Sequence, residues 1–146
     1  MIFSKSKIHF IILTIFISSC AVSPRFAKDV ISIQKPGGKI LSIVVGKASY
    51  YAHDFHGKRT ANGEIYNMNG LTAAHRTFPF GTILNVTNLS NKKSVRVRVT
   101  DRGPFKLERI IDLSLGAAIE IGIVEKGTGE VKVEVLEWGN NLYKKE

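Results

Sequence analysis

Three side chains able to move protons stand in or beside the least periodic part of this chain: Glu64, His75 and Asp101. Glu64 follows an Asn62-Gly63 turn, and His75 closes the run Leu71-Thr72-Ala73-Ala74-His75. Asp101 opens Asp101-Arg102-Gly103-Pro104-Phe105, where an alternating strand stops and Gly103-Pro104 turns the chain away. A carboxyl can give up a proton and take one back, and an imidazole changes charge near neutral pH, so the set suits acid–base chemistry. Each residue also has an ordinary structural use. An Asp before Arg-Gly-Pro serves as a turn residue or ion-pair partner, an acid beside Asn-Gly as a loop charge, and a loop histidine as a backbone partner. Asp112, before Leu113-Ser114, suits a favourable contact with a helix N-terminus. His53 and His56 are spaced i, i+3, but Asp54 is the only adjacent carboxylate and no cysteine is near. No metal and no other cofactor is expected.

The elements that must carry these residues are mostly strands. Residues 83–89 read as a strand and 90–93 as a turn. Residues 94–100 alternate cleanly, with Val95, Val97 and Val99 on one face and Arg96 and Arg98 on the other. Residues 130–137 alternate again, placing Val131, Val133 and Val135 inward, and 47–51 form a short aromatic strand. A helix is predicted over Leu115–Ile121, with Ser114 as N-cap and Gly122 just past its end. Leu115, Ala118, Ile119 and Gly122 are its expected packing face. Several short strands and one short helix predict a small closed barrel over residues 43–138. The irregular stretch 52–80, rich in Gly, Asn, His and aromatics, is where function is expected. Residues 139–146 read as a polar, frayed tail.

The 146 residues are one domain's worth, and 44% are hydrophobic, enough for a core and too many for a disordered chain. Lys and Arg number 21 against 12 Asp and Glu, a formal net charge of +9. Such a balance suits anionic polymers (nucleic acid, lipid head groups, cell wall) and equally plain solubility. A single cysteine excludes an internal disulfide framework and multi-cysteine zinc or iron–sulfur sites. Residues 1–19 read as a leader: Lys5 and Lys7, then the apolar run 10–17, far short of the ~20 residues that span a bilayer. The sole cysteine, Cys20, follows Ile17-Ser18-Ser19 in the manner of a bacterial lipobox. Lipidation of Cys20 is expected, with residues 20–42 as a tether containing a short strand near 30–33. Export through the inner membrane argues against a nucleic-acid partner. Ala21, in place of Asp, directs the anchored protein to the periplasmic face of the outer membrane.

Further stretches accompany these: Gly46-Lys47-Ala48-Ser49-Tyr50-Tyr51, Phe55-His56-Gly57, Thr60-Ala61-Asn62-Gly63-Glu64, Val86-Thr87-Asn88-Leu89 and Ile111-Asp112-Leu113-Ser114. In this order the whole set resembles the rare lipoprotein A family, over roughly residues 46–135. The resemblance implies a mainly β fold, a six-stranded double-psi β-barrel with one or two short helices. It implies a lytic transglycosylase that cuts the β-1,4 bond between N-acetylmuramic acid and N-acetylglucosamine, leaving 1,6-anhydromuramyl ends. The family's motif positions make Asp101 the expected general acid, Glu64 its partner and His75 a third site residue. The expected partner is the peptidoglycan glycan strand, met by a monomer. Tyr50, Tyr51, Phe55, Tyr66 and Phe105 could stack on sugar faces, most of them instead packing in the core. Tyr51 and Phe55 are the expected sugar contacts, with Asn62 and Arg102 as further substrate-binding residues. An expansin-like glycan binder without cleavage is the rival. Thr100 departs from the family pattern, where Asn more usually precedes Asp-Arg-Gly-Pro-Phe; an Asn side chain there could position the acid.

Overall fold

Alternation of Val with polar residues builds the barrel wall. The computed structural model describes residues 39–51 and 53–144. The expected leader, the lipidation site Cys20, the short strand near 30–33 and most of the 20–42 tether lie outside the described residues. Six strands form: β1 (Ser42–Tyr51), β2 (Thr72–Ala74), β3 (Ile83–Asn88), β4 (Ser94–Asp101), β5 (Arg109–Ser114) and β6 (Thr128–Glu137). One helix, α1 (Leu115–Ile121), and a short 3-10 turn at His53–Phe55 complete the elements.

The strands close in the order β1-β5-β2-β4-β3-β6. β1 runs parallel to β5 and antiparallel to β6; β2 runs parallel to β4 and antiparallel to β5. β3 pairs antiparallel with both β4 and β6. These two parallel crossings within a closed sheet are the double-psi arrangement the resemblance implied. Closure removes exposed sheet edges, so a small barrel needs no covering layer. Val95, Val97, Val99, Val131, Val133 and Val135 all point inward, where Leu84, Val86, Ile111 and Leu113 meet them.

β1 begins at Ser42, one residue before the expected domain boundary, and is twice the length read from residues 47–51. Helix α1 has the expected bounds. Ser114 accepts from the Ala117 N–H, and Gly122 adopts φ 69°, ψ 41°, a left-handed C-terminal stop that glycine takes without strain. Its face differs from the expectation. Ala117, Ala118 and Ile121 are buried while Ile119 faces solvent, because the helix lies with its small residues against β4 and β5. Among the described residues no helix is long and apolar enough to cross a membrane.

Candidate active site

The turn at residues 60–64 is built by its own polar side chains. Thr60 N–H donates to Glu64 O at 2.8 Å, and Thr60 Oγ1 donates to Asn62 Oδ1 at 2.7 Å. The same Asn62 oxygen accepts from Glu64 N–H at 3.1 Å, while the Asn62 amide donates to Glu64 Oε1 at 3.2 Å. Gly63 sits at φ +87°, a conformation that side chains resist. Asn62 N–H then ties the turn to the Thr100 carbonyl of β4 at 3.1 Å. Thr100 is buried and its hydroxyl has no partner, so the main chain performs the tethering at this departure from the family pattern.

Strand β4 supplies what the turn faces. Arg98 grips Glu64 with a two-pronged ion pair, Nη1 to Oε1 at 2.8 Å and Nη2 to Oε2 at 2.7 Å. The Arg98 hydrogen bonds hold the Glu64 carboxyl below its usual range, so it is an anion at neutral pH. Asp101, three residues on, receives the Ala61 N–H at 2.9 Å and the Arg102 N–H at 2.8 Å, both on Oδ1. Its other oxygen accepts no hydrogen bond among the described residues. Both acids are therefore anchored to one turn. His75 joins them through the main chain, its N–H donating to Asp101 O at 3.2 Å.

His75 Nδ1 accepts the Thr77 and Phe78 N–H groups at 3.2 and 3.0 Å, and its ring stacks on Phe78 at 3.6 Å. Burial, reinforced by the charges of Arg76 and Arg102, pushes its pKa down to about 4. With Nδ1 accepting, the proton of the neutral ring resides on Nε2. His75 is thus a neutral donor at physiological pH.

A third acid, read from the sequence as suited to a helix N-terminus, lies elsewhere. Asp112 is on β5, two residues before the expected N-cap Ser114, and its partner is Arg109 rather than the helix N-terminus. Asp112 Oδ2 pairs with Arg109 Nη2 at 3.0 Å, while its Oδ1 is buried without a partner. Burial pushes this carboxyl upward despite Arg109. The Tyr51 hydroxyl is also buried and unpartnered. Its titration is raised first by burial and next by the charge of Asp101, with Asp112 adding to it. Tyr51 therefore feels the charge of both aspartates without bonding to either. The surroundings separate the acids chemically: Glu64 is fixed as an anion, and Asp112 is pushed toward its protonated form.

The remaining expected contacts fall unevenly. Asn62 is 3% exposed and engaged within its turn, so it shapes the site from inside. Arg102 donates to the His75 and Phe78 carbonyls at 3.2 and 2.9 Å and lies 3.6 Å over the Phe80 ring, so it braces the site from within. Tyr51 packs on Tyr66 at 4.5 Å, and Phe55 meets its edge at 6.0 Å. Phe55 is half exposed, and Phe105 is almost wholly so. Residues 139–144 are no frayed tail. Lys144 N–H donates to Asn62 O at 2.7 Å, Asn141 clasps Phe80 through both its main chain and side chain, and Tyr143 packs edge-on to Phe80 at 5.1 Å. Together with Glu64 and Arg98 this segment walls an open pocket of about 270 Å³. The Asn-rich composition of residues 139–144 was the available sequence signal, since Asn readily satisfies main-chain groups.

Known proteins resemble this chain in sequence and in fold. Residues 43–133 match a family described as lytic transglycolase. The endolytic peptidoglycan transglycosylase RlpA of Campylobacter jejuni is 57% identical over 96 residues, 66% of this chain and 35% of that protein. RlpA of Pseudomonas aeruginosa is 55% identical over 94 residues, 64% of this chain and 28% of that protein. The chain thus spans about a third of the length of the curated relatives it matches. Among solved structures, the Streptomyces papain inhibitor aligns with TM-score 0.55 and 22% identity, over 68% of this chain and 99% of that one. An expansin from Clavibacter michiganensis aligns with TM-score 0.54 and 21% identity, over 66% and 51%. These two likenesses concern the fold.

Proposed function

Because the chain belongs to the lytic transglycolase family, we propose that it is a peptidoglycan lytic transglycosylase, cleaving the β-1,4 bond between N-acetylmuramic acid and N-acetylglucosamine. The observation that carries this reading is the joining of Asp101 and Glu64 to one turn, with Glu64 held as an anion by Arg98. The relatives' names supply the substrate class.

Cleavage of this bond needs a proton on the departing glycosidic oxygen as positive charge develops at C1 of the muramyl ring. Asp101 is the proposed donor, because Oδ1 is saturated by two N–H groups and Oδ2 remains to carry the proton. The muramyl C6 hydroxyl then closes on C1, and its proton returns to the Asp101 carboxylate. No water enters, and a 1,6-anhydro end results. Glu64, a fixed anion, offsets the positive charge, and neutral His75 offers Nε2–H to a sugar oxygen. Phe55 and the Tyr51 wall provide apolar contact beside them. Asp112 is the competing donor, favoured by its burial and its unpartnered oxygen. Anchoring at Cys20 and placement on the periplasmic face of the outer membrane complete the proposal, supported by the Ile17-Ser18-Ser19-Cys20-Ala21 sequence.

The test is mass spectrometry of purified sacculi incubated with the full-length chain, Asp101→Asn and Asp112→Asn. Anhydromuropeptides are expected from the unaltered chain, with release reduced ~10²–10⁴-fold in Asp101→Asn. Loss confined to Asp112→Asn would transfer the acid role to β5. Binding to sacculi with no product from any of the three would favour the expansin-like reading.

A further inference from the structure

The loop that follows Asp101 presents its apolar side chains to solvent while being held rigidly from below. Phe105 is 90% exposed and Leu107 is 91% exposed. Mobile loops often expose such residues, but this one is clamped. Arg76, just past β2, donates through Nε to Pro104 O at 2.9 Å. Its Nη2 donates to Lys106 O at 2.8 Å and to Arg109 O at 2.5 Å. One guanidinium thus fastens three carbonyls along six residues. At the loop's start, the Arg102 brace under Phe78 and Phe80 fixes the other end. Two large apolar groups kept in water on a clamped loop gain nothing for the fold.

Between them lies an open hollow of about 340 Å³ whose wall includes Arg76, Arg102, Pro104, Phe105 and Leu107. An aromatic ring and an aliphatic neighbour over a concave surface match the C–H face of a pyranose. Arg76 supplies positive charge in the wall, and the exposed Lys106 stands between Phe105 and Leu107 in the chain. The hollow adjoins the proposed acid, because its wall residue Arg102 follows Asp101 directly and donates its N–H to the Asp101 carboxylate at 2.8 Å. Phe105 is four residues beyond Asp101, no more than about 14 Å of extended chain. A strand cut at Asp101 therefore reaches the hollow within a few sugar units.

We infer that Phe105 and Leu107 form a sugar-ring subsite that holds a glycan strand beside the cleavage centre, with the basic rim receiving carboxylates carried by the strand. This rests on the proposed glycan specificity but not on turnover. The rim's chemistry favours a glycan bearing carboxylates over a neutral one, and the subsite sets binding rather than the chemical step.

The experiment measures retention of the full-length chain, solubilised in detergent, on amidase-stripped peptidoglycan strands and on intact sacculi. Phe105→Ala is compared with Phe105→Trp and with the unaltered chain. Phe105→Ala is expected to weaken retention about tenfold, the scale of an aromatic binding anchor. Phe105→Trp should restore it, and all three should melt alike because the ring is outside the core. Equal retention of Phe105→Ala and the unaltered chain overturns the subsite while leaving the transglycosylase proposal intact. Weakened retention in Phe105→Ala with no anhydro product from any form supports the subsite and rejects the proposed cleavage. Unchanged glycan retention with lost binding to anionic phospholipid vesicles overturns the inference in favour of a lipid surface.

Discussion

Two loops at the site end of this barrel use similar residues in opposite ways. The loop at residues 53–71 turns inward: Asn62 satisfies its own turn, Tyr66 is buried, and its hydroxyl donates to Tyr51 O at 3.0 Å. The loop at residues 102–108 turns outward: Arg76 satisfies its carbonyls from beneath, and Phe105 and Leu107 face water. One loop uses polar side chains to fix a single anion, Glu64. The other uses a borrowed guanidinium to free its apolar side chains for display. A loop's chemistry thus follows from which of its groups the protein has already satisfied.

The comparison can be broken most forcefully at Glu64. Glu64→Gln keeps the shape of the inward loop but removes the anion, and cleavage should fall about 10²-fold or more in a sacculus assay. Full activity would leave Glu64 with a purely structural task. Glycine positions sharpen the contrast next. Gly63 is at φ +87° and an added Cβ would meet the Lys144 carbonyl at 2.5 Å, whereas Gly57 is at φ +80° with open space around it. Gly63→Ala should cost about 2 kcal/mol and Gly57→Ala about 1 kcal/mol in denaturant unfolding, because both are strained but only Gly63 also collides. Equal costs would show that the 139–144 segment yields freely.

Acid should loosen the inward side first. The His75 pKa is depressed to about 4 in the fold, so its contribution is complete above about 6.5 and is lost as pH falls from there toward 4. Glu64, also depressed, loses its contribution below its ordinary range of about 4.5. Asp112, raised by burial, works in the opposite sense and favours the fold as acid is added. Melting temperatures between pH 7 and 4 should fall more steeply for the unaltered chain than for His75→Asn, which keeps an acceptor but does not titrate. Parallel curves would remove His75 from the account. The smallest effect is expected at Phe55, the inward loop's half-exposed ring, already partnered by Tyr51 and by Lys58 at 5.4 Å. Phe55→Ala should change stability by no more than about 0.5 kcal/mol and glycan retention by about twofold. A loss as large as that of Phe105→Ala would erase the distinction between the loops.

Much of the barrel was legible because alternation is a local property. Val95 through Val99 and Val131 through Val135 announce their inward faces, and Ser114 and Gly122 bound a helix that forms as read. β2 was hidden because three residues cannot display a period, and its place is set by β4 and β5 on either side. The site acids could be picked out by motif, but their electrostatic division could not. Arg98 faces Glu64 only because β4 brings it there, and Asp112 is half-buried because β5 runs between β1 and β2. The aromatics were the hardest to read. Tyr51 and Phe105 have similar rings, and only packing around Tyr66 and the Arg76 clamp decides that one goes in and the other stays out.

Barrel closure also governs the order in which this chain can fold. The ten-residue strand β1 has two neighbours, β5 and β6, and both come from the last third of the sequence. Ser42 waits for Val135, and Ala48 waits for Ile111. Until those residues are available, both edges of β1 are open templates for another chain, and the long loops that bring its partners home slow the search. The β3–β4 hairpin, joined through a short turn, needs no such wait. A nascent chain therefore presents a formed hairpin and an unpaired first strand, and its vulnerability to aggregation ends only when β6 zips along β1.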